Sequence, residues 1–449
     1  MSRQRTPSSF RLLPLLLALG SSFTLSAQAQ SLLDLYGAAK SYDASYQSAK
    51  SQFDASLAKA DQAKALLLPT VGLSAGVSQT NQDVQSPKAL NYTYDTQTAS
   101  LGVSQPLYRP SNWASYQQGK KQVDLAQAQL VAADQDLIIR VSQAYFDVLA
   151  ASDSLAFVKS QKAAVAEQLA SAKRNFEVGT STITDTREAQ ARYDLVIAQE
   201  LAADNDLRVK SIALDQLVGK PNSSPKPLST PVVLAEVLPA DVEQWVQRSE
   251  ANHPGIQQLQ VALDVAKLET QKAESGHKPT LDLTGSYTSA NYSNGTSSGP
   301  ATVDSRANVT SVGLSFNLPL FAGFSVQNRV RETLALEDKA RTDLEATKRT
   351  VAQGTRTAFF GVQSGLAQVK AYEAAEASSQ SALDANKLGY QVGVRINIDV
   401  LNSQSQLFDT KAKLAKARYD VLVGGLKLRQ AAGTLKADDL NPINSQLAP

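Results

Sequence analysis

The sequence lacks cysteine and contains one methionine, two tryptophans and two histidines in 449 residues. The absence of cysteine excludes disulfides, thiolate metal sites and a lipid-modified N-terminal cysteine. His253 and His277 lie beside or near prolines at segment boundaries, and neither belongs to a recognisable nucleophilic motif. We therefore predict no enzyme activity, no cofactor and no metal site.

Long hydrophobic runs and an excess of one charge are also missing. No segment beyond the N-terminus approaches the roughly 18 apolar residues typical of a membrane-spanning helix. Lys and Arg number 44 against 42 Asp and Glu. This balance leaves no basic footprint for nucleic acid, so we predict no nucleic-acid partner.

The first 29 residues have the pattern of an export signal. Arg3, Arg5 and Arg11 precede an apolar run, Leu12 to Leu19, and Ala27-Gln28-Ala29 fits a small-x-small cleavage site. An N-terminal membrane anchor is the alternative, but the run is too short to span a bilayer. We predict a cleaved signal peptide and an exported mature chain.

Two periodicities alternate along the mature chain. Residues 70–78 and 99–107 alternate between apolar and small or polar side chains, which is typical of strands with two different faces. Helical spacing covers about 111–178 and 322–392, and each such helix would be roughly 100 Å long. Their narrow apolar stripes indicate coiled-coil seams rather than a globular core.

The plan of the chain occurs twice. Pro69 matches Pro279 and Gly219 matches Gly433, at offsets of 210 and 214. Each copy is predicted to contain a helix, two strands, a long helix and a return helix. The predicted boundaries are a signal peptide at 1–29, a first repeat at 30–219, a Pro-rich linker at 220–240, a second repeat at 241–433 and a C-terminal tail at 434–449.

One short stretch is shared closely by the two repeats. Its common residues are Phe176, Val178, Gly179 and Asp185 in the first copy and Tyr390, Val392, Gly393 and Asp399 in the second. Glycine stops a helix because it enters the left-handed conformation cheaply, and Thr182 or Thr184 can cap the helix that follows. Each stretch therefore predicts the tip of a helical hairpin, where we expect function to be decided.

The four strands of one chain are too few for a closed membrane barrel, because even eight strands give only a narrow one. An open sheet in lipid leaves edge amides unpaired, so several chains would have to share a barrel. A small soluble sheet with one wet face is the alternative. In a barrel, the small residues would line a wet lumen (Gly72, Ser74, Gly76, Gly102, Ser104). The apolar residues would face lipid (Val71, Leu73, Leu101, Val103, Leu314, Phe316).

Several motifs resemble those of TolC-family outer-membrane channels, over about residues 31–440. They are NFEVGTSTITD, YQVGVRINIDVL, GHKPTLDL, VGLSFNLPLF and KARYDVLVGGLKLRQAAGTL. The resemblance implies an α+β membrane protein that forms a homotrimer. Each chain would supply four strands to a transmembrane 12-stranded β-barrel, continued by a long α-helical barrel of coiled-coil hairpins.

The resemblance also implies a passive exit duct in the outer membrane, extending into the periplasm and gated at its periplasmic tip. It would conduct exported proteins, small toxic molecules or both. Its expected partners are outer-membrane lipid, a periplasmic adaptor (membrane fusion) protein and an inner-membrane transporter, either ABC-type or proton-driven. Multidrug efflux without protein secretion is an alternative. A trimeric coiled-coil stalk or adhesin is a weaker one, because it leaves the paired strands unexplained.

Three sets of site residues follow from the resemblance. Asp399 would form an entrance ring of three carboxylates that attracts cations, although an Asp in a first helical turn can simply stabilise the helix dipole. Asn402 stands where many relatives carry a second Asp, which predicts weaker cation selectivity. The predicted gate latch pairs Tyr390 with Asp185 and Arg395 with Thr184. The predicted adaptor contacts are Val178, Gly179, Val392 and Gly393.

Overall fold

The computed structural model describes residues 29–86, 89–229 and 231–448, so the predicted signal peptide lies outside the described residues apart from its last position. The first repeat contains α1 (Leu32–Tyr42), α2 (Ala44–Ala65), β1 (Thr70–Val84), β2 (Leu90–Tyr108), α3 (Pro110–Glu177) and α4 (Ile183–Val218). The second contains α5 (Val242–Asn252), α6 (Pro254–Glu274), β3 (Thr280–Ser293), β4 (Ser305–Asn317), α7 (Ser325–Gln391) and α8 (Asn397–Ala431). A short helix, α9 (Asn441–Asn444), lies in the C-terminal tail.

The structure corrects the prediction of one continuous helix at the start of each repeat. In the first repeat, Asp43 leaves the helical conformation and its carboxylate accepts a hydrogen bond from the Tyr46 N–H at 2.8 Å, which starts α2. In the second, Pro254 occupies the first position of α6 and keeps His253 extended. An acidic cap and a first-turn proline are signals that the sequence already carried.

The long helices begin and end within a few residues of the predicted positions. Helices α3 and α7 contain 68 and 67 residues, and each is therefore roughly 100 Å long. Helices α4 and α8 return antiparallel to them, which gives two long hairpins. No helix in the described part of the chain is both long enough and apolar enough to cross a membrane.

The largest apolar core lies near the middle of α3, where α1, α4, α8 and the C-terminal tail meet. Leu137, Phe146 and Leu440 are almost completely buried there. The backbone of the linker joins the N-terminus and the tail: the Gln30 N–H donates to the Ser224 carbonyl at 2.7 Å, and the Ala448 N–H donates to the Pro227 carbonyl at 2.8 Å. The C-terminal tail is therefore part of the folded structure, together with the linker and the N-terminus, and packs against the middle of the long helices.

The four strands form one antiparallel sheet in the order β1-β2-β3-β4. The register places Val71 beside Val103 and Gly72 beside Gly102, so the apolar and small residues lie on opposite faces as predicted. The small face is also hydroxylated, since Ser100 Oγ lies 2.8 Å from Thr288 Oγ1. Leu73 on the apolar face is 79% exposed, and Val71, Leu314 and Phe316 on the same face are exposed as well, as expected of a face that contacts lipid.

On the face of the sheet that carries Leu73, apolar residues occupy only the half nearest the helices. Its last apolar residues are Val77 on β1, Ala99 on β2, Tyr287 on β3 and Val312 on β4. In the strand register this boundary moves two residues toward the helices at each successive strand. A boundary that is oblique to the strand pairing is expected when strands are tilted against the membrane normal, as in barrels.

Because Leu73 and Ser74 are adjacent but point to opposite faces, they form a matched pair for testing the membrane face. We expect Leu73→Lys to lower the amount of folded protein recovered in outer-membrane fractions, since a charge facing lipid costs about 2–4 kcal/mol at mid-bilayer. Ser74→Lys should be tolerated, because water reaches the opposite face. Equal recovery of the two variants would contradict this assignment of the faces.

Candidate functional site at the hairpin tips

Both hairpin tips are built by the same helix stop. Gly179 and Gly393 have φ values of 78° and 80°, in the left-handed region that favours glycine. The Thr180 N–H donates to the Asn175 carbonyl at 2.8 Å, and the Val394 N–H donates to the Gly389 carbonyl at 2.9 Å. These bonds satisfy carbonyls of the last turn, as in a Schellman motif. A Cβ at either glycine would meet no atom within 4 Å, so the backbone angle, not crowding, demands glycine.

The helices after the two turns start differently. Thr182, rather than Thr184, caps α4: the Asp185 N–H donates to Thr182 Oγ1 at 3.2 Å, and the Thr182 N–H donates to Asp185 Oδ2 at 3.0 Å. Ser181 Oγ also donates to this carboxylate at 2.8 Å. Burial acts to raise the pKa of Asp185, but these donors outweigh it and lower the pKa below its usual value. At the second tip, Ile396 occupies the cap position and offers no side-chain hydrogen bond.

The predicted latch pairs are not formed among the described residues of this single chain. The Asp185 carboxylate already accepts hydrogen bonds from Ser181 and Thr182 at the start of α4. Tyr390 contacts the first hairpin elsewhere, near the end of α3. There the Tyr390 hydroxyl accepts a hydrogen bond from Asn175 Nδ2 at 3.3 Å. The structure thus places Tyr390 between the two hairpins but with Asn175 rather than Asp185 as its partner. The latch role of these residues stays a prediction.

Arg395 lies beside Asp399, with its Nη1 atom 3.7 Å from Asp399 Oδ2. The predicted latch pairs Arg395 with Thr184, whereas within this single chain the guanidinium of Arg395 lies beside Asp399. Gly389 makes the contact possible: a Cβ there would lie 2.7 Å from Arg395 Cγ. The pair is substantially exposed, so it contributes only about 0–1 kcal/mol. Asp399 is therefore a carboxylate with a weakly held cation beside it.

Asn402 joins the two hairpins. Its Oδ1 atom accepts a hydrogen bond from Arg192 Nη2 on α4 at 2.7 Å. An aspartate at this position would bind Arg192 more strongly, because a charged acceptor strengthens the hydrogen bond. The amide therefore keeps the contact between hairpins but removes a negative charge from it.

The turns themselves carry exposed apolar side chains. Val178 is 72% exposed and Val392 is 67% exposed, at equivalent positions of the two tips. Other apolar residues exposed around them are Phe176, Ile183, Val394 and Ile396. Exposed apolar side chains grouped at two equivalent turns are what a site of interaction with another macromolecule would require, so the adaptor contact stays a prediction.

Above the turns, polar side chains connect α3 of the first hairpin to the second hairpin. Asn397, fully buried at the start of α8, accepts a hydrogen bond from Gln168 Nε2. Seven residues earlier on α3, about two helical turns farther from the tip, Gln161 Nε2 donates to Ser405 Oγ at 3.3 Å. Together with Asn175, these α3 residues recur every seven positions, which is a heptad signal that our sequence reasoning missed.

The next contact of this seam involves a partly buried carboxylate, that of Asp153. The Tyr419 hydroxyl on α8 donates to Asp153 Oδ2 on α3 at 2.6 Å, and the Tyr419 ring stacks on Phe146 with centroids 5.5 Å apart. Burial raises the pKa of Asp153, while the donated hydrogen bond partly opposes the rise. The ionised form of Asp153 is therefore less favourable in the folded protein than in the unfolded chain.

Asp153→Asn should make the thermal stability less dependent on pH. Because the folded pKa of Asp153 is raised, its stabilising contribution is present below the ordinary carboxyl pKa and is lost as pH rises through the folded value. We expect the variant to melt about 1–3 °C above the wild type at pH 7, with the difference disappearing in acid. Scanning fluorimetry over a pH series measures this.

Two controls accompany this measurement. Asp61→Asn changes an exposed aspartate of α2 and should leave the pH profile unchanged. Tyr419→Phe removes the donor to the partly buried carboxylate of Asp153 and should lower the melting temperature at pH 7. A wild-type pH dependence in Asp153→Asn would contradict the assignment.

Comparisons with known proteins agree on the class of protein that this fold and these tips define. The sequence matches the outer membrane efflux protein family over residues 35–220 and 245–434. The chain belongs to the outer membrane efflux protein family, which confirms the predicted resemblance.

Particular relatives cover nearly the whole chain. It is 34% identical over 439 residues to the outer membrane protein TolC of Vibrio cholerae, covering 97% of this chain and 98% of that protein. It is 30% identical over 421 residues to the alkaline protease secretion protein AprF of Pseudomonas aeruginosa, covering 92% and 86%. Its fold matches the crystal structure of the outer membrane protein VceC of Vibrio cholerae, with a TM-score of 0.75, 19% identity and coverage of 90% and 96%. The protein is therefore located in the outer membrane and extends into the periplasm.

Proposed function

We propose that the protein is an outer-membrane exit duct for exported proteins and small toxic molecules. The observation that carries this proposal is the joining of two structures in one chain: a sheet with one lipid-type face and one hydroxylated face, and helical hairpins roughly 100 Å long. The sequence holds no nucleotide-binding motif, so the duct is passive and its energy comes from an inner-membrane transporter.

The duct is a homotrimer in this proposal. Strands β1 and β4 are the two edges of the sheet, and each presents unpaired backbone groups along 13 or more residues. Such edges are not tolerated in lipid unless they pair with another strand. Joining β4 of one chain to β1 of the next, three times, closes a 12-stranded barrel around the hydroxylated face.

A periplasmic adaptor protein docks on the exposed apolar tips around Val178, Gly179, Val392 and Gly393. The adaptor links the duct to an ABC-type or proton-driven transporter, and the transporter selects the cargo. Efflux of small molecules without protein secretion is the alternative, and it requires the same duct. A coiled-coil stalk is not supported, because it gives no role to a sheet with a lipid-type face.

The gate lies at the same tips. Tyr390 bridges the hairpins through Asn175, and Arg395 lies in the exposed turn between α7 and α8. Replacing Tyr390 by Phe keeps the ring that packs on Leu383 and Val400, so only polar contacts are lost. Contacts of this strength, about 0–1 kcal/mol for an exposed pair, can be broken by a docking partner. Thr184 and Asp185 complete the proposed latch across neighbouring hairpins.

Tyr390→Phe combined with Arg395→Ser should raise single-channel conductance in planar bilayers several-fold, because the tip loses its polar contacts while the helices remain packed. The matched control is Tyr42→Phe with Arg208→Ser, which changes the same residue types on exposed positions distant from the tips. Unchanged conductance of a native trimer would remove these residues from the latch. If purified protein forms no channels at all, the exit duct itself is contradicted.

Asp399 should make the entrance sensitive to trivalent cations, since three carboxylates around one axis attract them. Asp399→Ala is expected to abolish current block by a trivalent cation. Arg395→Gln should tighten the block, because it removes the cation 3.7 Å from the carboxylate. Asn402→Asp should tighten it only when Arg192 is also replaced by Gln, because Arg192 otherwise pairs with the new carboxylate. Titration of the channel current measures each affinity.

The control for the ring is Asp185→Ala, at the equivalent position of the first hairpin. Its carboxylate caps α4, so its loss should affect block far less than Asp399→Ala. Equal relief of block by the two variants would show that the two copies have been assigned the wrong way round.

A further inference from the structure

The end of the sheet farthest from the helices carries a folded loop between β3 and β4, residues 294–304. Since the helices extend into the periplasm, this end of the sheet faces the exterior of the cell. The predicted gate residues all lie at the opposite end of the molecule. The loop is therefore separate from the periplasmic tip.

The loop lies on the hydroxylated face of the sheet. Strand alternation puts Tyr92 and Tyr94 on the same face as Ser100 and Gly102, the face opposite Leu73. The Tyr92 hydroxyl donates to the Thr296 carbonyl of the loop at 3.0 Å. Because the Tyr92 side chain rises from the hydroxylated face, the loop segment that it reaches is displaced toward that side, which is the lumen in a closed barrel.

Tyr92 is held in place by its neighbours. Its ring stacks on Tyr94, with centroids 5.9 Å apart and an interplanar angle of 30°. Its hydroxyl also lies 3.1 Å from Gln82 Oε1 on β1. The ring of the loop anchor is therefore held by Tyr94 on the same strand, while Gln82 of β1 offers a second acceptor for the same hydroxyl proton.

The loop has internal structure of its own. The Thr296 N–H donates to the Gly299 carbonyl at 2.9 Å, and the Gly299 N–H donates to the Thr296 carbonyl at 3.1 Å. Gly295 is buried at φ 134°, and a Cβ there would lie 2.8 Å from the Gly299 carbonyl oxygen. A loop closed on itself in this way resists entering solutes more than a free strand connection does.

We propose that loop 294–304, anchored by Tyr92, forms a second constriction at the extracellular mouth that sets the size limit for solutes entering from outside. This proposal rests on the trimeric duct proposed above. Three copies, one from each chain, narrow the mouth on the lumen side. The selectivity is by size, because six of the eleven loop residues are Gly, Ser or Thr and Asp304 is the one charged side chain among them.

The test uses the absence of native cysteine. Ser74→Cys places one thiol on the hydroxylated face between the mouth and the helices. Intact cells are treated with maleimides attached to polymers of graded size, and labelling is read as a gel shift. We expect small maleimides to label Ser74→Cys and large ones to be excluded when Tyr92 is present.

Tyr92→Phe in the Ser74→Cys background should raise the rate of labelling by the large reagents about fivefold. The reason is that losing one hydrogen bond, worth about 1 kcal/mol, raises the fraction of molecules whose loop has moved out of the mouth about fivefold. Replacing residues 296–299 by two glycines should raise it further. Tyr94→Phe is the matched control and should retain the size limit, because it keeps the ring that stacks on Tyr92. Labelling of Ser298→Cys, in the loop itself, should be independent of reagent size.

The outcomes separate this proposal from the duct itself. An identical size limit in the wild-type background, Tyr92→Phe and the shortened loop would overturn the mouth constriction and leave the duct intact. If even the small maleimide fails to label Ser74→Cys in assembled protein, no water-filled lumen lies behind the loop, and the duct is contradicted.

Discussion

An unpaired backbone amide is not tolerated in lipid, and most of the architecture follows from this constraint. The sheet of one chain satisfies its inner strands, β2 and β3, but leaves β1 and β4 as edges. Only when those edges are paired can the sheet keep its apolar face toward lipid and its hydroxylated face toward water. Once the sheet is closed around water, the helices attached to its strands are arranged around the same axis. The duct is then a consequence of edge pairing rather than a separate feature.

The helical half obeys a different rule, because water reaches it. Each hairpin is stable through a long narrow seam, and the turn costs little because glycine takes the left-handed position. Between the hairpins, Leu401 of α8 shares a buried apolar cluster with Val165 and Leu169 of α3. Polar contacts alternate with this packing: Gln161, Gln168 and Asn175 supply single hydrogen bonds, worth about 0.5–1.5 kcal/mol each. Such contacts specify the register of the hairpins but can be separated one at a time. A gate at this end is physically reasonable, while the apolar core near Phe146 remains closed.

The duplication explains both the successes and the failures of sequence reasoning at the tips. Equivalent residues predict equivalent turns, and Gly179 and Gly393 do adopt the same conformation. Asp185 and Asp399 are equivalent in sequence but not in chemistry. Asp185 completes a capping box because Thr182 precedes it, whereas Ile396 at the matching position cannot, so Asp399 remains available to Arg395. The different residues at the cap position, Thr182 and Ile396, thus leave the two equivalent carboxylates with different partners.

What the sequence determined by itself was local: the strand and helix periods, the glycine stops and the two faces of the sheet, with the repeat recognised because these local patterns recur. Each of these depends on residues within one or two turns or one pleat of each other, so a pattern is sufficient to predict them. Only the tertiary structure decided which distant side chains meet, such as Tyr419 with Asp153, Tyr390 with Asn175 and Tyr92 with Thr296. Those contacts depend on how far whole helices and strands are shifted along and rotated about their axes relative to one another. Heptad and alternating patterns predict neither the shift nor the rotation.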